Sequence, residues 1–196
     1  YAPRPEIPRG QPPFAGFASI FGKEGIKPEP KVPRDHLTFL LEPVVDLATN
    51  ETEHYRARYN MATTTGSEIS FERLVANADK SGLRPSLDMH VVNQALPLLR
   101  KLRAKHPNMR LFVPIGVATL TSEPTLRKII DIVDEVGEAA SGVVFELEHD
   151  NLGRLNENGV TGLAMLARRG IAMALVNVTV AGLDMASLRH LGVKYI

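Results

Sequence analysis

Arg110-Leu-Phe-Val-Pro-Ile-Gly-Val117 and Gly142-Val-Val-Phe-Glu-Leu-Glu148 are short apolar runs of strand length, and the segment between them reads as a helix. Thr121-Ser122-Glu123-Pro124 supplies N-cap hydroxyls and a proline for the first turn, and the helix runs to about Gly137. The alternation continues. Asn158–Arg169 is helical and closes at Gly170, Ile171–Val178 is a strand, Leu183–Leu191 a helix, and Val193–Ile196 begins another strand. Regular βα alternation predicts a parallel sheet with helices outside, and periodicity does not decide between an open sheet and a barrel.

Upstream, Leu87, Val91, Ala95, Leu98, Leu99 and Leu102 form one apolar stripe, which predicts a helix over Leu87–Arg103. A shorter helix is expected over Glu68–Ser81, with Gly82 in a C-cap role. Leu37–Leu47 and Thr52–Met61 read as strands joined by the turn Ala48–Glu51, hence a hairpin. Pro43 marks the first of these as an edge strand or an irregular one. Residues 1–36 differ in kind. They hold eight prolines and cannot keep a helix or a central strand, so they read as a linker. The island Phe14–Phe21, with three aromatics, reads as a loosely docked arm or a recognition element.

The chain has 196 residues, 44% apolar and 23% charged, enough for one domain with a sizeable core. A net charge of +1 gives no electrostatic case for nucleic acid or membrane. With no cysteine, disulfides, thiolate metal sites and a cysteine nucleophile are excluded. No signal peptide or membrane span is visible, and the first residue, Tyr1, suggests a fragment. The six histidines form no pair at metal-ligand spacing, and phosphate-binding glycine loops are absent. His149 beside Asp150 reads as a polar strand end. Arg100, Lys101, Arg103, Lys105 and His106 cluster at a helix end, where cations suit the dipole.

Several ordered fragments resemble the EAL domain, the cyclic di-GMP phosphodiesterase family. Leu41-Glu-Pro-Val-Val-Asp-Leu47 is similar to its opening strand, and Lys80-Ser-Gly-Leu83, Leu87-Asp88 and Val91-Val-Asn-Gln-Ala-Leu96 follow its pattern without gaps. Gly170–Ala174 is similar to the strand before its Asp-Asp pair, and Leu191–Ile196 to the strand before its catalytic lysine. The resemblance implies an α/β fold, a modified TIM barrel with one strand running against the others. Residues 37–196 are fewer than the about 250 of a typical barrel, so the last βα units are expected to lie beyond Ile196 or their place to be covered by a partner.

The same resemblance implies a lost catalytic centre. The Glu of Glu-Ala-Leu falls on Arg56, in Arg56-Ala57-Arg58, and a guanidinium cannot ligate a cation. The asparagine ligand falls on Pro114, the second acid of Glu-Ile-Thr-Glu on His149, and the Asp-Asp pair on Val176-Asn177. Glu146 is the lone retained ligand position. Hard divalent cations need several oxygen ligands. The expectation is therefore a degenerate domain with no catalytic residues, no metal and no cofactor. Candidate ligand contacts are Asp88, Arg56 and Arg58, although Asp88 reads equally well as a helix-start acid. At other binding positions, Glu42 replaces a glutamine and Asn60 an arginine, which weakens the case for cyclic di-GMP. The expected role is a regulatory or scaffolding module with a protein partner. It would be a cytoplasmic domain, behind a membrane anchor or coiled coil, and self-association as a homodimer is plausible for the family. A linker followed by a degenerate EAL domain is also the arrangement of an alphaproteobacterial flagellar-positioning protein. The alternative role is a cyclic di-GMP receptor without hydrolysis.

Overall fold

The computed structural model describes residues 37–62, 67–179 and 183–196. The Pro-rich segment 1–36, its aromatic island and His36 lie outside the described residues. The first elements are the expected hairpin. Strand β1 (Leu37–Val45) pairs antiparallel with β2 (Thr52–Ala62). Asp46 shapes the turn, accepting the backbone N–H groups of Ala48 and Thr49 at 2.8 and 2.9 Å. Those N–H groups hold its carboxyl below the usual carboxylate range. Asn50 takes the left-handed conformation at φ 57°, which asparagine tolerates. As Pro43 predicts, β1 is an edge strand, and its register slips between Val44 and Val45.

Residues Glu68–Ile69 form a short strand β3 on β2, where the sequence pattern suggested helix. Helix α1 therefore starts later (Phe71–Ser81) and ends at Gly82, whose φ of 69° is the left-handed cap. Helix α2 (Arg84–Arg103) begins three residues ahead of the apolar stripe, because Pro85 suits the first turn. Pro97 interrupts its hydrogen-bond ladder on the exposed side, where water can satisfy the freed carbonyl.

The βα series follows: β4 (Leu111–Pro114), α3 (Val117–Thr121), α4 (Glu123–Val136), β5 (Val143–Glu148), α5 (Glu157–Arg168), β6 (Ala172–Val176), α6 (Met185–His190) and β7 (Val193–Tyr195). Turns of 3-10 helix flank β5, at Gly137–Gly142 and His149–Arg154. Two real caps match side-chain chemistry: Asn156 accepts from Gly159 N–H, and Asp184 from Ala186 and Ser187 N–H. The predicted helix starts Asn158 and Leu183 were each within two residues of these termini.

One mixed sheet results, in the order β1-β2-β4-β5-β6-β7, with β3 attached to β2. From β2 to β7 every neighbour is parallel, while β1 and β3 run against β2. This is the α/β architecture with a largely parallel sheet expected from the alternation, and among the described residues it is open at β1 and β7.

Strand alternation gives the sheet two unlike faces. Ala57, Tyr59, Leu111, Val113, Phe145, Leu147, Met173 and Leu175 face the helices. They join Leu87, Val91, Leu96, Leu99, Ile129 and Leu163 in the main core. Each fully buried Leu or Phe contributes about 1.5–3 kcal/mol, so this face carries most of the stability. The opposite face carries a smaller apolar cluster of Phe112, Val144, Ala172 and Ala174, with Tyr195 packed beside them. At one end of that second face the apolar residues give way to charge.

Candidate functional site

The charged end of the inner face is built from alternate residues of β2 and β5. Arg56 and Arg58 are two apart on β2, so both side chains project to the face opposite Ala57. Glu146 stands on β5, and β4 runs between the two strands. Phe112 is the register partner of Arg56 and Pro114 that of Glu146. The arginine side chains reach across β4 to Glu146. Pro114 closes β4 at a point where the next donor, Ile115 N–H, bonds the Glu146 carbonyl at 2.9 Å. The proline therefore costs the ladder little.

Both oxygens of Glu146 are taken. Arg56 Nε donates to Oε1 at 2.7 Å, and Arg58 Nη1 donates to Oε2 at 3.2 Å. The Glu146 side chain is 3% exposed, against 37% for Arg56 and 17% for Arg58. Arg58 is further held by Glu42 at 3.5 Å and lies over the Phe71 ring, 4.5 Å from its centroid. One carboxylate is thus shared by two guanidinium groups, and Arg56 is the more exposed of them.

These residues sit in an open groove of about 1200 Å³. Phe112, Pro114, Ala174, Val176 and Tyr195 form its apolar side, and Glu148, Asn151 and Arg154 its far rim. Phe112 and Tyr195 meet edge to face, with ring centroids 5.2 Å apart. The sequence reading passed over Tyr195, Glu148 and Arg154. The signal for Glu148 was its alternation with Glu146, and for Tyr195 its place on the last strand.

Asp88, the third candidate ligand contact, does not line this groove. It is fully buried on α2. Its Oδ1 accepts from Arg84 Nε at 2.6 Å, and its Oδ2 from Gly116 N–H at 2.7 Å and Thr119 Oγ1 at 2.6 Å. Burial pushes its carboxyl up, opposed by Arg84 and by the Thr119 and Gly116 donors. Every contact is made as an acceptor, as a carboxylate makes it. Burial also works against the charge on Arg84, but Asp88 beside it holds that guanidinium above its ordinary range. The network ties α2 to the β4–α3 connection. A Cβ on Gly116 would lie 2.6 Å from Arg84 Cγ, so only glycine admits this approach. Asp88 is thus a fastening inside the fold, in the second turn of α2 rather than at its start.

Other predicted positions are less connected. His149 opens the 3-10 turn after β5 and lies 3.4 Å from Asp150. Asn177 follows β6 at φ 55°. Asn60 donates to Glu68 on β3 at 2.7 Å. The Arg103 guanidinium, from the basic cluster, is spent internally on the Pro107 and Ala139 carbonyls and the Ser141 hydroxyl at 2.8–3.0 Å.

A mixed barrel-type sheet with its groove at one strand end is the layout of the EAL domain. Residues 30–196 match the model of that family, described as EAL domain, and the chain belongs to it. Among solved structures it is similar to the FimX EAL domain of Pseudomonas aeruginosa bound to c-di-GMP. The TM-score is 0.65 at 19% identity, over 82% of this chain and 64% of that one. The PaMucR phosphodiesterase in its c-di-GMP complex gives a TM-score of 0.70 at 15% identity, over 82% and 65%. At these identities the likeness is one of fold. A curated relative, an uncharacterized 76.5 kDa protein of Thiocystis violacea, is 23% identical over 81% of this chain and 23% of its own length. The chain spans less than two thirds of the length of each.

The cation chemistry implied by the family can be tested against the residues present. Glu146 has no oxygen free of an arginine, Pro114 offers no side-chain donor atom, and Val176 is aliphatic. Among the described residues no three His, Cys, Asp or Glu come together as a metal site. The positive charge of Arg56 and Arg58 opposes a further cation. The residues present do not fit a divalent metal. Among the described residues, no helix is long and apolar enough to cross a membrane.

Proposed function

We propose that this EAL domain is catalytically inactive and works as a regulatory or scaffolding protein-interaction module. Its setting would be bacterial motility, surface structures or cyclic di-GMP-related signalling. The observation that carries the reading is the Arg56–Glu146–Arg58 cluster, in which two guanidinium groups use both oxygens of the one retained acid. Two-metal phosphodiester cleavage needs oxygen ligands and an activated water, and this cluster supplies neither. The test is incubation of the chain with cyclic di-GMP and Mg²⁺ or Mn²⁺, with separation of the products. No linear pGpG above the protein-free control is expected. Metal-dependent release of pGpG would overturn the reading.

A second reading, a cyclic di-GMP receptor without hydrolysis, is favoured by the open groove and by the half-exposed Arg56. It also draws on the FimX and PaMucR structures, both of which contain that nucleotide. Against it, Glu42 stands beside Arg58, and Asn60 is turned to Glu68. Calorimetric titration with cyclic di-GMP separates the two: micromolar or tighter binding selects the receptor.

A further inference from the structure

Charge decides what the groove can hold. Four arginines line it, Arg56, Arg58, Arg84 and Arg154, against four acids, Glu72, Asp79, Glu146 and Glu148. Over its whole length it is therefore neutral, and a dianionic ligand finds no net attraction. The local picture differs at one point. Arg58 has two carboxylates, Glu42 and Glu146, and Arg84 has Asp79 and Asp88. Arg56 shares one carboxylate with Arg58 and uses only Nε for it. Its Nη groups make no hydrogen bond among the described residues, and the side chain is 37% exposed. A guanidinium edge of that kind accepts one carboxylate in bidentate fashion. Beside it lies the apolar side of the groove, with Pro114, Val176 and Tyr195.

From this geometry we infer that the groove docks a peptide segment of a protein partner. A single Asp or Glu of that segment pairs with Arg56, and apolar residues flanking the acid lie on Pro114, Val176 and Tyr195. The inference rests on the interaction-module reading and names its surface and the chemistry of its partner. Arg58 and Glu146 act here as positioning residues that hold Arg56 with its outer edge toward solvent.

The experiment is selection of a random peptide library displayed on phage against the 196-residue chain. The winning peptides are then made synthetically and titrated by fluorescence anisotropy. The expected winners carry one required acid between apolar residues. Changing that acid to Gln should weaken binding tenfold or more, as should Arg56→Leu in the chain, while Arg56→Lys should recover part of the loss. The peptide-side Gln change needs no altered protein, so the test stands even if Arg56→Leu fails to fold. Winners indifferent to the Gln change, no enrichment, or peptides displaced by micromolar cyclic di-GMP would each overturn the inference. Failure of this kind leaves the chain's catalytic inactivity untouched, because that reading fails only through pGpG release.

Discussion

Asp88 and Glu146 are both carboxylates buried against arginine, but their surroundings differ in kind. Asp88 is held by a backbone N–H, a threonine hydroxyl and Arg84, and lies wholly inside the packing of α2 on the β4–α3 connection. Glu146 is held through its side-chain oxygens by two other side chains, one of them half in solvent, at the edge of a groove. The first belongs to the architecture. The second lines an open groove, and both of its partners are cations. A guanidinium can neutralise a carboxylate as a metal does, but it cannot activate water.

The largest expected effect lies on the Asp88 side. Asp88→Ala leaves Arg84 buried without its main counter-charge and strands the Gly116 N–H. It should cost about 3–5 kcal/mol of stability in a urea titration. A loss under about 2 kcal/mol would put Asp88 on the same footing as Glu146. Thr119→Val removes one donor to that carboxylate at nearly constant volume and should cost about 1–3 kcal/mol. Glu146→Gln should cost about 1–2 kcal/mol, less than Asp88→Ala, because the amide oxygen still accepts from one arginine, Arg56 can turn to water and Arg58 keeps Glu42. A cost as large as that of Asp88→Ala would erase the distinction between fastening and replaced site.

The smallest effect belongs to a third pair, Asp134 with Arg169 on the outer surface, at 2.6 Å and 2.9 Å. The hydrogen bond from Arg169 holds the Asp134 carboxyl below its ordinary 3.8. Its contribution is therefore present above that pH and lost as pH falls through the lower folded value. Arg169→Leu should leave the neutral-pH denaturation midpoint nearly unchanged and slightly flatten the stability loss on acidification. A large shift at neutral pH would show that the pair does more than a solvated one.

The fold was legible where local patterns are long. The hairpin, the α2 stripe and the β4–β7 alternation follow from period-2 and period-3.6 spacing, and Pro43 located the edge strand. The short elements β3 and α3 were not legible. β3 has only Glu68 and Ile69, and α3 follows Gly116, whose N–H is fixed by Asp88 from 28 positions away. Too few residues stand in such elements to show a period. At the site, Arg56 in place of an acid and Glu146 as a retained one were visible as what the family resemblance implies. Their pairing was not, because it spans 90 residues and depends on the strand order β2-β4-β5. Asp88 carried an ambiguous signal for the opposite reason. An acid early in a helix suits both a ligand and the dipole, and the start of α2 at Arg84, which takes Asp88 out of the first turn, could not be read from the apolar stripe.

The central claim is that Arg56 and Arg58 have taken the place of divalent cations. Titration of Mn²⁺ into the chain, followed by the electron paramagnetic resonance signal of free Mn²⁺, tests it most directly. The account predicts a signal that rises with added metal as in buffer alone, with no binding tighter than millimolar. Stoichiometric uptake at micromolar Mn²⁺ that is lost in Glu146→Gln would contradict it.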